Sequence, residues 1–202
     1  MSKLEELLFL KNFLERCEKE LQLPKGAVME IPKEDDWTFV IKIAAILEKS
    51  LNNLICKDIN DKKTNKVIYS LSLSEKIQHA YDRELIDQST KLKFKFVAQV
   101  RNLAAHSIMF SFKNLFLNCN ALKDYQSKFK STWNDPVNLG KHKVPRNKFL
   151  IDNPKLTIFF EIAEKIASSE IDMEIANIKK DRDRLQASGD IFKKLISKKI
   201  QR

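Results

Sequence analysis

A guanidinium, a carboxamide and an imidazole stand within one six-residue stretch, Arg101-Asn102-Leu103-Ala104-Ala105-His106, at the end of an apolar run that begins near Leu92. These are groups suited to acid–base chemistry beside a phosphate. Cleavage of an RNA phosphodiester without metal, for example, needs a base to take the proton of a 2′-hydroxyl, an acid to protonate the departing 5′-oxygen, and positive charge beside the phosphate. Histidine exchanges protons near neutral pH, so His106 suits the proton transfers. Arginine stays charged and presents a two-pronged fork, so Arg101 suits the phosphate oxygens. Asn102, one turn before His106, suits orienting the imidazole or touching the ribose. One histidine does not easily act as base and acid in a single step. The same residues also fit a structural reading: an ion pair at Arg101, a turn cap at Asn102, and a His106 that ends the helix near its negative pole, where a cation gains roughly 0.3 to 1 kcal/mol.

The element that must carry these groups is a helix. Leu92, Phe96, Val100 and Leu103 recur at three or four residues and predict its buried stripe, while Lys95, Gln99, Asn102 and His106 follow the same spacing on another face. Arg101 and His106 lie five apart, roughly 7.5 Å along the axis and roughly 140° around it. A joint site therefore requires Arg101 to bend toward the Asn102 face, or both to point into a cleft shared with a second helix or subunit.

Upstream, Leu4, Leu7, Leu8, Leu10, Phe13, Leu14, Cys17 and Leu21 predict an amphipathic first helix over 3–22, ending before Pro24 and Gly26. A connector follows to Asp36, with Asp35 or Asp36 as N-cap of a helix from about Trp37 to Ile55 that buries Val40, Ile43, Ala44, Leu47, Leu51 and Leu54. The polar residues 57–69 read as an exposed loop, and Ser72 with Glu75 forms a capping box for a short helix through Tyr81. His79 in that helix reads as structural. Beyond His106, the apolar residues Ile108, Phe110, Phe112, Leu115, Phe116 and Leu117 read as a cover for the site or an interface, and 119–132 as a helix or mixed segment. Residues 133–145 read as a basic loop, 154–178 as a helix, and Ser188-Gly189-Asp190 as a break in the tail.

Composition agrees with a helical protein. The chain has 202 residues, 43% hydrophobic and 32% charged, with 3 Gly and 5 Pro, which favours long helices over tight turns and predicts an all-α fold. The expected organisation is an N-terminal helix and connector (1–34), a helical core (35–170) and a basic tail (171–202). No stretch approaches the roughly 18 apolar residues of a membrane span, and acidic Glu5 and Glu6 oppose a signal peptide, so a cytoplasmic protein is expected. Cys17, Cys56 and Cys119 are odd in number and widely spaced, which favours buried thiols over disulfides or zinc, and no metal or cofactor is expected. The net charge of +10 favours a polyanion partner. Lys95, Lys141, Lys143, Lys193 and Lys194 are the candidate RNA contacts, although a solvated terminal helix accounts equally well for the charge of the tail.

Arg-Asn-x3-His at the end of the last long core helix resembles the Arg-x4-His signature of the HEPN superfamily (higher eukaryote and prokaryote nucleotide-binding domains). The stretch from Leu71 to Asp87 that precedes it, Ile43–Leu51 upstream and Pro145–Phe149 downstream are similar to the mannitol operon repressor-like branch. The resemblance covers roughly residues 36 to 168. It implies a HEPN-type antiparallel bundle and a homodimer in which two motifs share one cleft. It further implies a metal-independent endoribonuclease leaving a 2′,3′-cyclic phosphate, as a toxin or antiphage effector with a possible antitoxin. Arg101 and His106 would be catalytic and Asn102 supporting. Glu48 is a further candidate, because some HEPN nucleases place an acidic residue on that earlier helix. The alternative is a non-enzymatic regulator of the repressor-like branch. Ile108 stands where many HEPN toxins carry a modifiable Tyr, which speaks against silencing of that kind, and no helix-turn-helix for reading DNA is evident.

Overall fold

In the computed structural model, each of the four helices between Asp36 and Ala105 starts on a side chain placed to satisfy its free N–H groups. Residues 11–19 apart from 13 and 17, 22–107, 110–117, 136–139, 142–145 and 152–200 are described, with the backbone alone at 62, 114, 116, 117, 136–139, 142–145 and 189–200. After α1 (Ala27–Glu30) and a 3-10 turn (Ile31–Lys33) come α2 (Asp36–Ile59), α3 (Lys62–Ser70), α4 (Leu73–Asp82), α5 (Gln88–Ala105), α6 (Phe112–Leu117) and α7 (Pro154–Ile200). The fold is all-α. Asp35 accepts from the Thr38 N–H at 2.9 Å, Ser72 and Glu75 close the expected capping box at 3.3 and 2.7 Å, and Asp87 accepts from the Thr90 N–H at 2.7 Å.

Two corrections concern helix in polar sequence. Residues 57–69 are helical rather than a loop, except around Asn60 and Asp61. Asn60 turns left-handed (φ 50°) and closes α2, and the Asp61 carboxylate accepts from the N–H groups of Lys63 and Thr64 to open α3. Ile68 then anchors α3 to the core. Ser188-Gly189-Asp190 does not break the tail either, since α7 continues to Ile200. One helix glycine costs about 1 kcal/mol, and the Lys-, Leu- and Ile-rich turns that follow offset it. The helix also runs without interruption through the expected boundary at 170/171.

A third correction concerns 133–145, where Pro136–Leu139 (β1) and His142–Pro145 (β2) form a small antiparallel ladder with Val137 opposite Val144. The alternation of apolar and polar residues in Pro136-Val137-Asn138-Leu139 suits a short strand.

The core lies where α2 meets α5, α4 and α7, and it is built from Phe39, Leu47, Leu51, Ile55, Ile77, Phe94, Ile158 and Phe159. All six residues expected on the buried face of α2 are buried. On α5 the expected stripe is misplaced. Phe96 and Val100 are buried, but Leu92 and Leu103 are each 40% exposed, while Thr90, Lys93, Phe94, Val97, Ala98 and Ala104 face inward. The buried arc is centred on Val97, and Leu92 and Leu103 sit about 120 to 140° away from it. Near the N-terminus, Leu14 is buried and Arg16 pairs with Glu170 of α7, so the first helical segment packs on its own chain.

The capping carboxylates tie the fold to pH. Hydrogen bonds from their caps hold Asp35, Asp61, Glu75 and Asp87 below the usual carboxylate range. A lowered folded-state pKa gives stability that is present above the unfolded value and lost as pH falls through the folded one. The melting temperature should therefore hold steady above pH about 5 and fall as the pH drops below about 4. Asp87→Ala should blunt that fall in a thermal-melt series across pH, and an unchanged profile would remove the cap from the explanation.

Candidate functional site

The motif occupies the last turn of α5 and the residue that ends it. Ala104 is the anchor of that turn: it is buried, and its carbonyl accepts from the Trp37 indole N–H at 2.9 Å, tying the end of α5 to the start of α2. His106 is the C-cap, and its N–H reaches the Asn102 and Leu103 carbonyls at 3.3 and 3.2 Å. Arg101, Asn102 and His106 are all exposed. Arg101 Nη1 donates to Asn102 Oδ1 at 3.2 Å, which draws the guanidinium toward the face bearing Asn102 and His106.

Beside this turn lie groups that sequence reasoning did not single out. Asp36 accepts from the Phe112 N–H at 3.0 Å and faces the Lys155 ammonium at 3.4 Å, while Lys155 donates to the Glu34 carbonyl at 2.5 Å. These contacts gather the starts of α2, α6 and α7 at the motif end of the bundle. Phe112 packs edge-on against Phe39 at 5.9 Å and is buried with Leu115. Those two apolar residues therefore enter the core instead of covering the motif or forming an interface. The signal for Trp37 was its place directly after the N-cap Asp35–Asp36 pair, where an indole brings a donor for the last carbonyls of a neighbouring helix.

Glu48 stands apart from the other candidates. It is eleven residues beyond Trp37 on α2, roughly 16 Å down the helix from the motif end. Its carboxylate accepts from the Lys76 ammonium at 2.5 Å, and Lys76 is fully buried. Within one chain its evident task is to neutralise that lysine. Glu48→Ala leaves Lys76 with the Tyr69 carbonyl at 3.4 Å and should cost about 1 to 3 kcal/mol in urea unfolding. Glu48→Gln should recover part of that loss by keeping an acceptor, and equal stability of Glu48→Ala and the parent chain would defeat this assignment.

The candidate basic contacts are dispersed. Lys95 is half-buried on the same face of α5 as Asn102, Lys143 lies in β2, Lys193 and Lys194 lie in the outer part of α7, and Lys141 falls outside the described residues. Ile108, Cys17, Cys119 and 119–132 fall outside them as well. His79 is half-buried on α4, and burial pushes the Cys56 thiol up, away from the reactive thiolate.

An open cavity of about 760 Å³ lies at the other end of α5, lined by Tyr81, Asp87, Thr90, Lys165, Ser169 and Asp172. Its walls come from two distant stretches, 81–90 and 165–172, with no shared motif, which left no trace in the sequence. Among the described residues no group of three or more His, Cys, Asp or Glu side chains is arranged to hold a metal ion, and no helix is long and apolar enough to cross a membrane. No family model matches the chain, and no curated protein or solved structure matches it.

Proposed function

We propose that this protein is a metal-independent endoribonuclease of HEPN type, acting as a homodimer in which two Arg101/His106 pairs share one RNA phosphate, as a toxin or antiphage effector. The observation that carries this reading is the common exposure of Arg101, Asn102 and His106 at one end of α5, with the guanidinium held toward the Asn102 face. An exposed site on a helix end, rather than a closed pocket, is accessible to a polymer and to a second copy.

In the reaction, neutral His106 of one copy takes the 2′-hydroxyl proton as that oxygen bonds to the adjacent phosphorus. The bond from phosphorus to the 5′-oxygen breaks, and the imidazolium of the other copy gives its proton to that leaving oxygen. The products are a 2′,3′-cyclic phosphate and a 5′-hydroxyl. Two copies thus supply the base and the acid that one histidine cannot supply together, and two guanidiniums meet the charge gathering on phosphorus.

Incubating the purified chain with total RNA and transfer RNA in EDTA should give fragments ending in cyclic phosphate. Activity abolished by EDTA and restored by magnesium would overturn the mechanism. A second reading, a non-enzymatic regulator that binds a protein, draws on Trp37 and Leu103, which are 39% and 40% exposed beside the motif. Absence of cleavage by folded protein under every condition, with a partner lost on Trp37→Ala, would favour it.

A further inference from the structure

We propose that the outer part of α7 pairs in parallel with the same segment of a second copy, forming a short two-stranded coiled coil. From Glu174 to Ser188 every residue is exposed, so the helix has left the core after Met173. A lone exposed helix normally carries polar residues all round. This one exposes Ile175, Ile178 and Leu185, at 44%, 69% and 74%.

Their spacing is that of a seam. Ile171, Ile175, Ile178, Arg182 and Leu185 follow alternating steps of four and three, and the sequence carries the series on through Gly189, Phe192 and Ile196. Ile171, Ile178, Leu185 and Phe192 are then the d positions, seven apart, and Ile175, Arg182, Gly189 and Ile196 the a positions. A seam kept in one heptad register over this length is a pattern for wrapping a partner helix.

Charge decides the partner. Between 171 and 188, Asp172, Glu174, Asp181 and Asp183 balance Lys179, Lys180, Arg182 and Arg184, so this segment offers a polyanion no net attraction. Glu174 is a g position and Lys179 the e position five residues on. On one helix these two lie roughly 140° apart, on opposite flanks of the seam. Across a parallel, in-register pair each Glu174 meets Lys179 of the other copy, giving two attractive contacts. An antiparallel pair would set the acidic g residues Glu174 and Asp181 against each other. Arg182 at an a position weakens the pair and fixes its register, and its guanidinium keeps Asp183 at 3.2 Å.

This contact is separate from any cleft at Arg101 and His106, and stands whether or not those residues cleave RNA. Lys155 marks the motif end of the bundle, and Ile171 lies sixteen residues further along α7, roughly 24 Å away. A parallel tail pair therefore tethers two domains by their far ends and raises the local concentration of each around the other.

Light scattering on the full chain across a concentration series tests it. The parent chain should reach twice the mass of 23.6 kDa, and Ile178→Asp/Leu185→Asp should need at least about tenfold more protein to do so, with an unchanged melting temperature. Glu174→Lys should weaken dimerisation about tenfold, and Glu174→Lys/Lys179→Glu should restore it. A parent chain that stays monomeric, or an Ile178→Asp/Leu185→Asp variant that dimerises as tightly as the parent, overturns the pairing. Failure of the double charge reversal to restore affinity overturns the parallel register.

Discussion

RNA cleavage is expected to fall by at least about 100-fold in His106→Ala, with the melting temperature unchanged. Loss of a positioned acid or base removes a factor of roughly 10² to 10⁴, and in a symmetric site one substitution removes both. The fold should not register the change, because His106 is exposed and its helix-ending contact is made by its backbone N–H. Exposed substitutions of this kind stay within about 0.5 kcal/mol. Arg101→Ala should lose a similar factor, and Arg101→Lys should recover little, since an ammonium keeps the charge without the fork. Initial rates on a defined RNA, with melting curves alongside, separate chemistry from folding. Full cleavage by His106→Ala would move the catalytic role elsewhere on the surface.

The largest expected effect on stability lies at Lys93, whose ammonium meets the Glu161 carboxylate at 2.6 Å with both side chains buried between α5 and α7. Lys93→Met takes this cation away from a buried carboxylate and should cost about 3 to 5 kcal/mol. For a chain of this length that lowers the melting temperature by roughly 6 to 20 °C. Lys93→Met/Glu161→Leu should recover most of the loss, because replacing a buried ion pair with apolar groups of similar volume is often neutral. Urea unfolding of the two variants decides the matter. A single variant within about 1 kcal/mol of the parent would mean that water reaches the pair.

This pair also shows where sequence reasoning stops. Nothing local to Lys93 announces that Glu161, 68 residues away, will meet it. The starts of α2 and α4 were legible because capping is local: Asp35, and Ser72 with Glu75, each act within three residues. The buried face of α2 was legible because one apolar stripe dominates it. On α5 apolar residues lie almost all round, so periodicity could not choose between Leu92 and Phe94, and the choice came from neighbouring helices. Asp61 opened α3 within a stretch whose polarity concealed it. The exposure of Arg101, Asn102 and His106 followed from their place at the end of α5, whereas the nearness of Trp37 and the distance of Glu48 depend on how α2 lies against it.

The uninterrupted course of α7 bears on how the molecule moves through solvent. Its 47 residues span roughly 70 Å, and the part beyond Met173 extends roughly 40 Å past the core. A rod of that length adds drag out of proportion to its mass. Even a single chain should sediment more slowly than a sphere of 23.6 kDa and elute ahead of it on a sizing column, so elution volume alone overstates its mass.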